Sequence, residues 1–279
     1  MSRVRELFGI YCSDNADFSA AISTQLCPYS GKKCYKTRKS EPGTVIGTCT
    51  VHYQNQNIII CPNRLTEKQQ IFLDCLHLLT LHEPGNELYL IPELSIPGGH
   101  VDYFLVSVNQ HRVKDFVGIE LQTMDTTGTI WPERQRLLAK HHFPVDTADI
   151  NSTRSFGMNW KMTAKTILVQ MHHKAQTFER INKHLVLILQ NPLYHYMRTT
   201  FSFEHIHGCH LSDTVHFHSY SCTEDDGRLH LSLDTRESTN AEGIAKCLGL
   251  HVEADMTQET LISMLEGKLS EEYRFSLCI

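Results

Sequence analysis

The chain has 279 residues, 41% hydrophobic and 20% charged, and its 26 basic against 31 acidic side chains give a formal net charge of −5. Those proportions exclude a disordered or fibrous chain and allow one sizeable core with a smaller appended module. The acidic balance counts against a broadly nucleic-acid-coating surface, so any DNA-gripping charge has to be local, as in the run Lys32, Lys33, Lys36, Arg38, Lys39, whose rival reading is a solvated loop.

Residues 1–65 read as an N-terminal segment. No signal-peptide pattern opens it and no apolar run in the chain approaches transmembrane length, so the expected location is the cytoplasm. In that reducing compartment the ten cysteines stay unpaired, and grouped ones point to metal ligation. Residues 27–61 are turn-rich, with Ser30-Gly31 and Pro42-Gly43, and hold β-leaning runs at 44–46 and 57–60. Cys27, Cys34, Cys49 and Cys61 lie in this stretch and offer four soft thiolates, a tetrahedral number suited to iron or zinc. Their gaps are wider than those of C-x2-C knuckles, so four inert buried thiols are the competing reading.

Residues 66–200 carry the strongest periodicity. Thr66 is a suitable N-cap for a helix over 66–82 with Ile71, Phe72, Cys75, Leu76, Leu78 and Leu79 on one face. Strand-like runs at 87–94, 101–108 and 116–123, separated by Pro97-Gly98-Gly99 and a polar stretch, predict a three-stranded antiparallel meander. A short helix follows over 132–140, then a long one over 159–181 with Ile167, Leu168, Met171, Ala175 and Phe178 in a stripe. The run HLVLILQ at 184–190 has the continuous apolar character of a strand buried on both faces, completing a β-β-β-α-β series. Residues 201–279 add β-like runs at 214–219 and 228–233 and helical segments at 241–248 and 258–269. Their histidine-rich part holds His205, His207, Cys209, His210, His216 and His218, a second metal site or, more ordinarily, groups facing solvent, phosphate or base edges.

Asp102 lies near the start of one predicted strand, and Glu120 and Gln122, two apart on the next, share a face. Antiparallel pairing would bring the two acids together, where they repel unless a proton or cation is shared. A hard divalent ion such as Mg²⁺ with oxygen ligands is the usual solution. It would activate a water and stabilise charge on a phosphorus centre.

Three stretches are similar to the NotI/EagI-like type II restriction endonucleases of the PD-(D/E)XK nuclease superfamily. They are VDYFLV at 101–106 with IELQTMDTTG at 119–128, NWKMTAKTILVQ at 159–170, and the cysteine module ending in IIICPNRL at 58–65. The resemblance implies an α/β fold with a PD-(D/E)XK core, in which a mixed central sheet is flanked by helices, preceded by an inserted four-cysteine metal module. It implies that Asp102 and Glu120 bind Mg²⁺, that Gln122 replaces the superfamily's lysine, and that a further acid, Glu93 first and Glu87 second, completes the site. It also implies a structural iron or zinc on the four cysteines and offers Lys161 and Lys165 as DNA-contact candidates, beside Lys36 and Arg38 of the basic run. The expected activity is Mg²⁺-dependent hydrolysis of double-stranded DNA at a palindromic, GC-rich site. A cytoplasmic prokaryotic homodimer would carry it out, with a cognate DNA methyltransferase acting on the same sequence. A structure- or lesion-specific repair nuclease on the same core, and a non-catalytic metal-stapled DNA-binding protein, are the alternatives.

Overall fold

The computed structural model describes residues 2–38, 41–250 and 258–266. Strands β1 (Val4–Leu7) and β2 (Ile10–Tyr11) open the chain, followed by helix α1 (Ser19–Thr24), the paired β3 (Thr37–Arg38) and β4 (Glu41–Val45), and the hairpin β5 (Thr48–Tyr53) and β6 (Gln56–Ile59). They form a four-stranded sheet, β2-β1-β5-β6, beside the β3-β4 ribbon.

The single helix expected over 66–82 is corrected. The chain instead makes α2 (Pro62–Leu65), a 3₁₀ turn at 67–69, α3 (Gln70–Leu73) and a second 3₁₀ turn at 76–78. Lys68 and Gln69 are left-handed, at φ 51° and 58°, which breaks the i to i−4 ladder. The apolar spacing nevertheless reports burial correctly, because Ile71, Phe72, Cys75, Leu78 and Leu79 are all buried.

Next come β7 (Glu87–Ile96), β8 (Gly99–Asn109) and β9 (Arg112–Gln122), the expected meander. Strand β10 (Thr126–Gly128), helices α4 (Trp131–Lys140) and α5 (Thr147–Ile150), and β11 (Phe156–Met158), which pairs with β10, lead into the long helix α6 (Trp160–Arg180). Strand β12 (His184–Gln190) follows, then α7 (Asn191–Thr200), β13 (His207–Gly208), β14 (Val215–Asp225), β15 (Arg228–Thr239), α8 (Ala241–Cys247) and α9 (Gln258–Glu266). Positions 267–269 of the last predicted helix lie outside the described residues. Helix α7 has no counterpart in the sequence reading, although Pro192 near its start is a normal helix-entry signal.

A seven-stranded mixed sheet, ordered β13-β15-β14-β12-β9-β8-β7, organises these elements. β12 runs parallel to both β9 and β14, and every other pairing is antiparallel. Leu185, Leu187 and Leu189 point toward α6, α7 and α8, while Val186 and Ile188 point toward the 62–79 segment. All five are fully buried, as the unbroken apolar run requires, and each contributes about 1.5–3 kcal/mol of burial. Val51, Ile58 and Ile60 of the N-terminal hairpin belong to the α6-side core as well. Arg64, wholly buried, ties the same region together by donating to Glu6 (2.8 and 3.0 Å), to Glu67 (2.8 Å) and to the carbonyl of Leu229 (2.7 Å).

Among the described residues β7 pairs with β8 alone and so forms one edge of the sheet. Leu88, Tyr89, Leu90, Ile91 and Leu94 are exposed along it, and Pro92 and the left-handed Glu93 (φ 49°) interrupt it midway. Among the described residues no helix is long and apolar enough to cross a membrane.

Candidate active site

The register of the meander aligns the predicted acids. Pro92 faces Tyr103 and Leu94 faces Val101, so Glu93 lies opposite Asp102. Tyr103 faces Ile119, and one step further along the same register Asp102 lies opposite Glu120. Three acids from three consecutive strands therefore form one cross-strand row, a spacing at which opposed side chains interact. Gly118, on the same face of β9 as Glu120 and Gln122, lies against Phe178 of α6, so this row addresses the α6 side of the sheet.

Asp102 is partly buried and accepts the backbone N–H of Leu121 at 2.8 Å. Burial raises its carboxyl above the ordinary carboxylate range, against the pull of that hydrogen bond and of Lys174. Glu120 is buried more deeply, and desolvation, with Asp102 adding to it, pushes its carboxyl up to about 7 despite Lys174. Gln122 donates its amide to the carbonyl of Thr123 at 2.6 Å. Glu87, the second choice for the additional acid, bonds instead to the exposed Tyr89 hydroxyl at the far end of β7.

Lys174 escaped the sequence reading. Its Nζ donates to Glu120 Oε1 at 2.6 Å, with both side chains only 5% exposed. The signal was present, since Lys174 falls between Met171 and Ala175 on the buried stripe of α6, where a lysine needs a buried partner. The β7–β8 turn fixes this part of α6. Thr177 donates to the carbonyl of Pro97 at 2.9 Å, and Gly98 packs so closely on His173 that a Cβ would lie 2.6 Å from its carbonyl oxygen.

Asp102 and Glu93 open into a cleft of about 430 Å³ whose opposite wall is the cysteine module, bringing Lys32 and Lys33 toward the acids. In that module Gly31, left-handed at φ 67°, lets its N–H bond the carbonyl of Cys27 while the Cys27 N–H bonds that of Lys32, closing a tight knuckle. Pairs among the four thiols influence one another. Cys49 hydrogen-bonds Cys61, and this bond, with help from Lys36 and the N–H groups of Asn63 and Arg64, lowers the Cys61 thiol to about 6. Cys34 feels both Cys61 and Cys27, and Asn63 Nδ2 lies 3.8 Å from Cys27 Sγ. N–H groups aimed at sulfur favour thiolate and suit a soft metal. The three acids, all oxygen donors, suit a hard divalent ion. Among the described residues, however, no three His, Cys, Asp or Glu side chains are set as a ready metal cage at either place.

No protein-family model matches this chain. No curated protein matches it significantly.

The remaining candidates separate into two groups. Lys161 and Lys165 are exposed on α6. Lys36 and Arg38 are engaged: Lys36 donates to the carbonyl of Ile60, while Arg38 pairs with Glu41 (2.7 Å) and Asp149 (3.4 Å) and stacks over Trp131 at 4.5 Å. Lys39 lies outside the described residues. Of the histidine-rich stretch, His205, His207 and His210 are exposed, whereas His216 and His218 are fully buried under the 62–79 segment. His216 Nε2 lies 3.1 Å from His184 Nδ1, and His216 Nδ1 lies 3.4 Å from Cys209 Sγ.

Proposed function

We propose that this chain is a Mg²⁺-dependent endonuclease with a PD-(D/E)XK-like core, cutting double-stranded DNA at a specific palindromic site as a type II restriction enzyme does. The observation that carries the reading is the row Glu93, Asp102, Glu120, three carboxylates aligned across adjacent strands, of which Glu93 and Asp102 line a cleft walled by Lys32 and Lys33. Asp102 and Glu120 would hold the ion, with Glu93 the third acid; when bound, the ion supplies an activated water and charge stabilisation at phosphorus.

The chain's own groups have separate tasks in this reading. The Leu121 N–H fixes the orientation of Asp102, and Gln122, anchored by its own amide, keeps a carbonyl oxygen free to orient a water. Lys32 and Lys33 across the cleft, with Lys161 and Lys165 on α6, offer cations for the phosphate backbone, so the net charge of −5 is compatible with local DNA binding. A palindromic target fits a homodimer with twofold symmetry. The four cysteines would hold a structural iron or zinc and keep that wall of the cleft in place.

Digestion of a DNA of known sequence with Mg²⁺ tests the proposal. Discrete fragments are expected from the wild type and none from Asp102→Ala. A smear, or cutting only at lesions, would favour a repair nuclease, and undiminished cutting by Asp102→Ala would remove the assigned site. One observation favours the non-catalytic reading, namely that Glu120 already has Lys174 as its counter-ion. Sequence-specific binding without cleavage would support it.

A further inference from the structure

We infer that Lys174 is a positioning residue of the nuclease centre, delivering from helix α6 the positive charge that Gln122 does not provide and orienting Glu120 for the cation. The inference rests on the proposed nuclease reading. Its basis is geometric. The Lys174 ammonium reaches Glu120 Oε1 at 2.6 Å from the helix that covers the sheet, not from the strand that carries Glu120. The bond is made to Oε1, one of the two carboxylate oxygens.

A purely structural role accounts poorly for this pair. A lysine and a glutamate, each 5% exposed, lose most of their hydration, and apolar side chains of similar size usually serve stability as well or better. The surroundings are already apolar, with Met171, Ala175 and Phe178 along the same stripe. The ammonium also lies within electrostatic reach of Asp102, so it addresses both acids assigned to the cation. The lysine stem passes the β7–β8 turn, its Cε 3.4 Å from where a Cβ on Gly99 would stand, an ordinary contact distance. Gln122, by contrast, contributes only an amide dipole. The row of acids therefore has a local counter-charge that is fixed before any cation arrives, and one cation completes the balance.

The test combines cleavage with cation binding. Lys174→Gln should lower the single-turnover rate with Mg²⁺ by about 100-fold. It should leave DNA affinity in Ca²⁺ within a few-fold of wild type and tighten Mn²⁺ binding by calorimetry, because the ammonium no longer competes for Glu120. Moving the charge, in Gln122→Lys/Lys174→Gln, should restore most of the rate, which a packing role would not. Wild-type cleavage by Lys174→Gln, no rescue by the relocated lysine, or weakened Mn²⁺ binding would each overturn the inference. Should Lys174→Gln fail to fold, Gln122→Lys alone decides: a site already holding its lysine gains nothing, and a rise in rate would show that the charge was missing. If neither wild type nor variant cuts DNA but Mn²⁺ binding tightens in Lys174→Gln, the nuclease reading fails and Lys174 remains the counter-charge of a cation site.

Discussion

Replacing Arg64 by methionine should be among the most damaging single changes in this chain. The guanidinium is wholly buried and bridges three regions: Glu6 of β1, Glu67 beyond α2, and the Leu229 carbonyl of β15. Methionine fills much of the space but leaves Glu6, 2% exposed, with only the Thr50 hydroxyl, and leaves the Leu229 carbonyl without its donor. Removing one partner of a buried ion pair costs about 3–5 kcal/mol. At about 2–4 °C per kcal/mol for a chain near this size, the melting temperature should fall by roughly 6–20 °C. Urea unfolding should show a lower midpoint with an unchanged slope. Arg64→Met/Glu6→Gln should recover part of the loss, because the stranded carboxylate is then gone. A single variant within about 1 kcal/mol of wild type would refute the reasoning, since that is the scale of an exposed pair.

Stability should also fall in mild acid. Burial depresses His216 to about 4 and His218 to about 2, so both are neutral in the fold while the unfolded chain takes up protons below its ordinary histidine value of 6.5. The unfolded state binds more protons in that window, and stability is therefore lost as pH falls from 6.5 toward 4. Thermal melts across that range should show it, and His218→Leu should flatten the slope; an unchanged slope would mean other groups dominate. Gly98→Ala combines φ of +103° with a Cβ 2.6 Å from the His173 carbonyl, so about 1–3 kcal/mol of destabilisation is expected by urea titration, with a larger loss of cleavage as the β7–β8 turn lifts from α6. Purified protein should carry one iron or zinc per chain by elemental analysis, lost together with thermal stability in Cys61→Ser. Metal-free protein whose Cys61→Ser variant melts normally would sink the four-cysteine reading.

What the sequence conveyed best was side-chain periodicity. The strand-like runs at 101–108 and 116–123, the unbroken apolar run at 184–190, and the stripe of α6 all became the elements they announce, because burial on one or two faces dictates those patterns. The 66–82 stretch shows the limit of this signal. Its spacing identified the buried side chains, yet the backbone turned left-handed at Lys68 and Gln69, which periodicity does not encode. Of the candidate site, Asp102 and Glu120 could be read because they stand on strands of clear pattern. The alignment of Glu93 depended on strand register, which is set by the turn and the sheet together. Lys174 comes from 54 positions beyond its partner Glu120, so only the packing of α6 on the sheet could bring them into contact.

The interruption in β7 has a consequence for association. Ten residues of free edge with exposed leucine, tyrosine and isoleucine would ordinarily invite another strand to zip alongside. Pro92 has no N–H to offer such a visitor, and Glu93, turned left-handed beside it, adds a kink and a charge, so the open border is split into two short lengths. The kink that blunts this border also stands opposite Asp102. Straightening it, for example with Pro92→Val/Glu93→Thr, should therefore both remove an acid from the row and promote aggregation through the edges, read as a rise in light scattering over wild type.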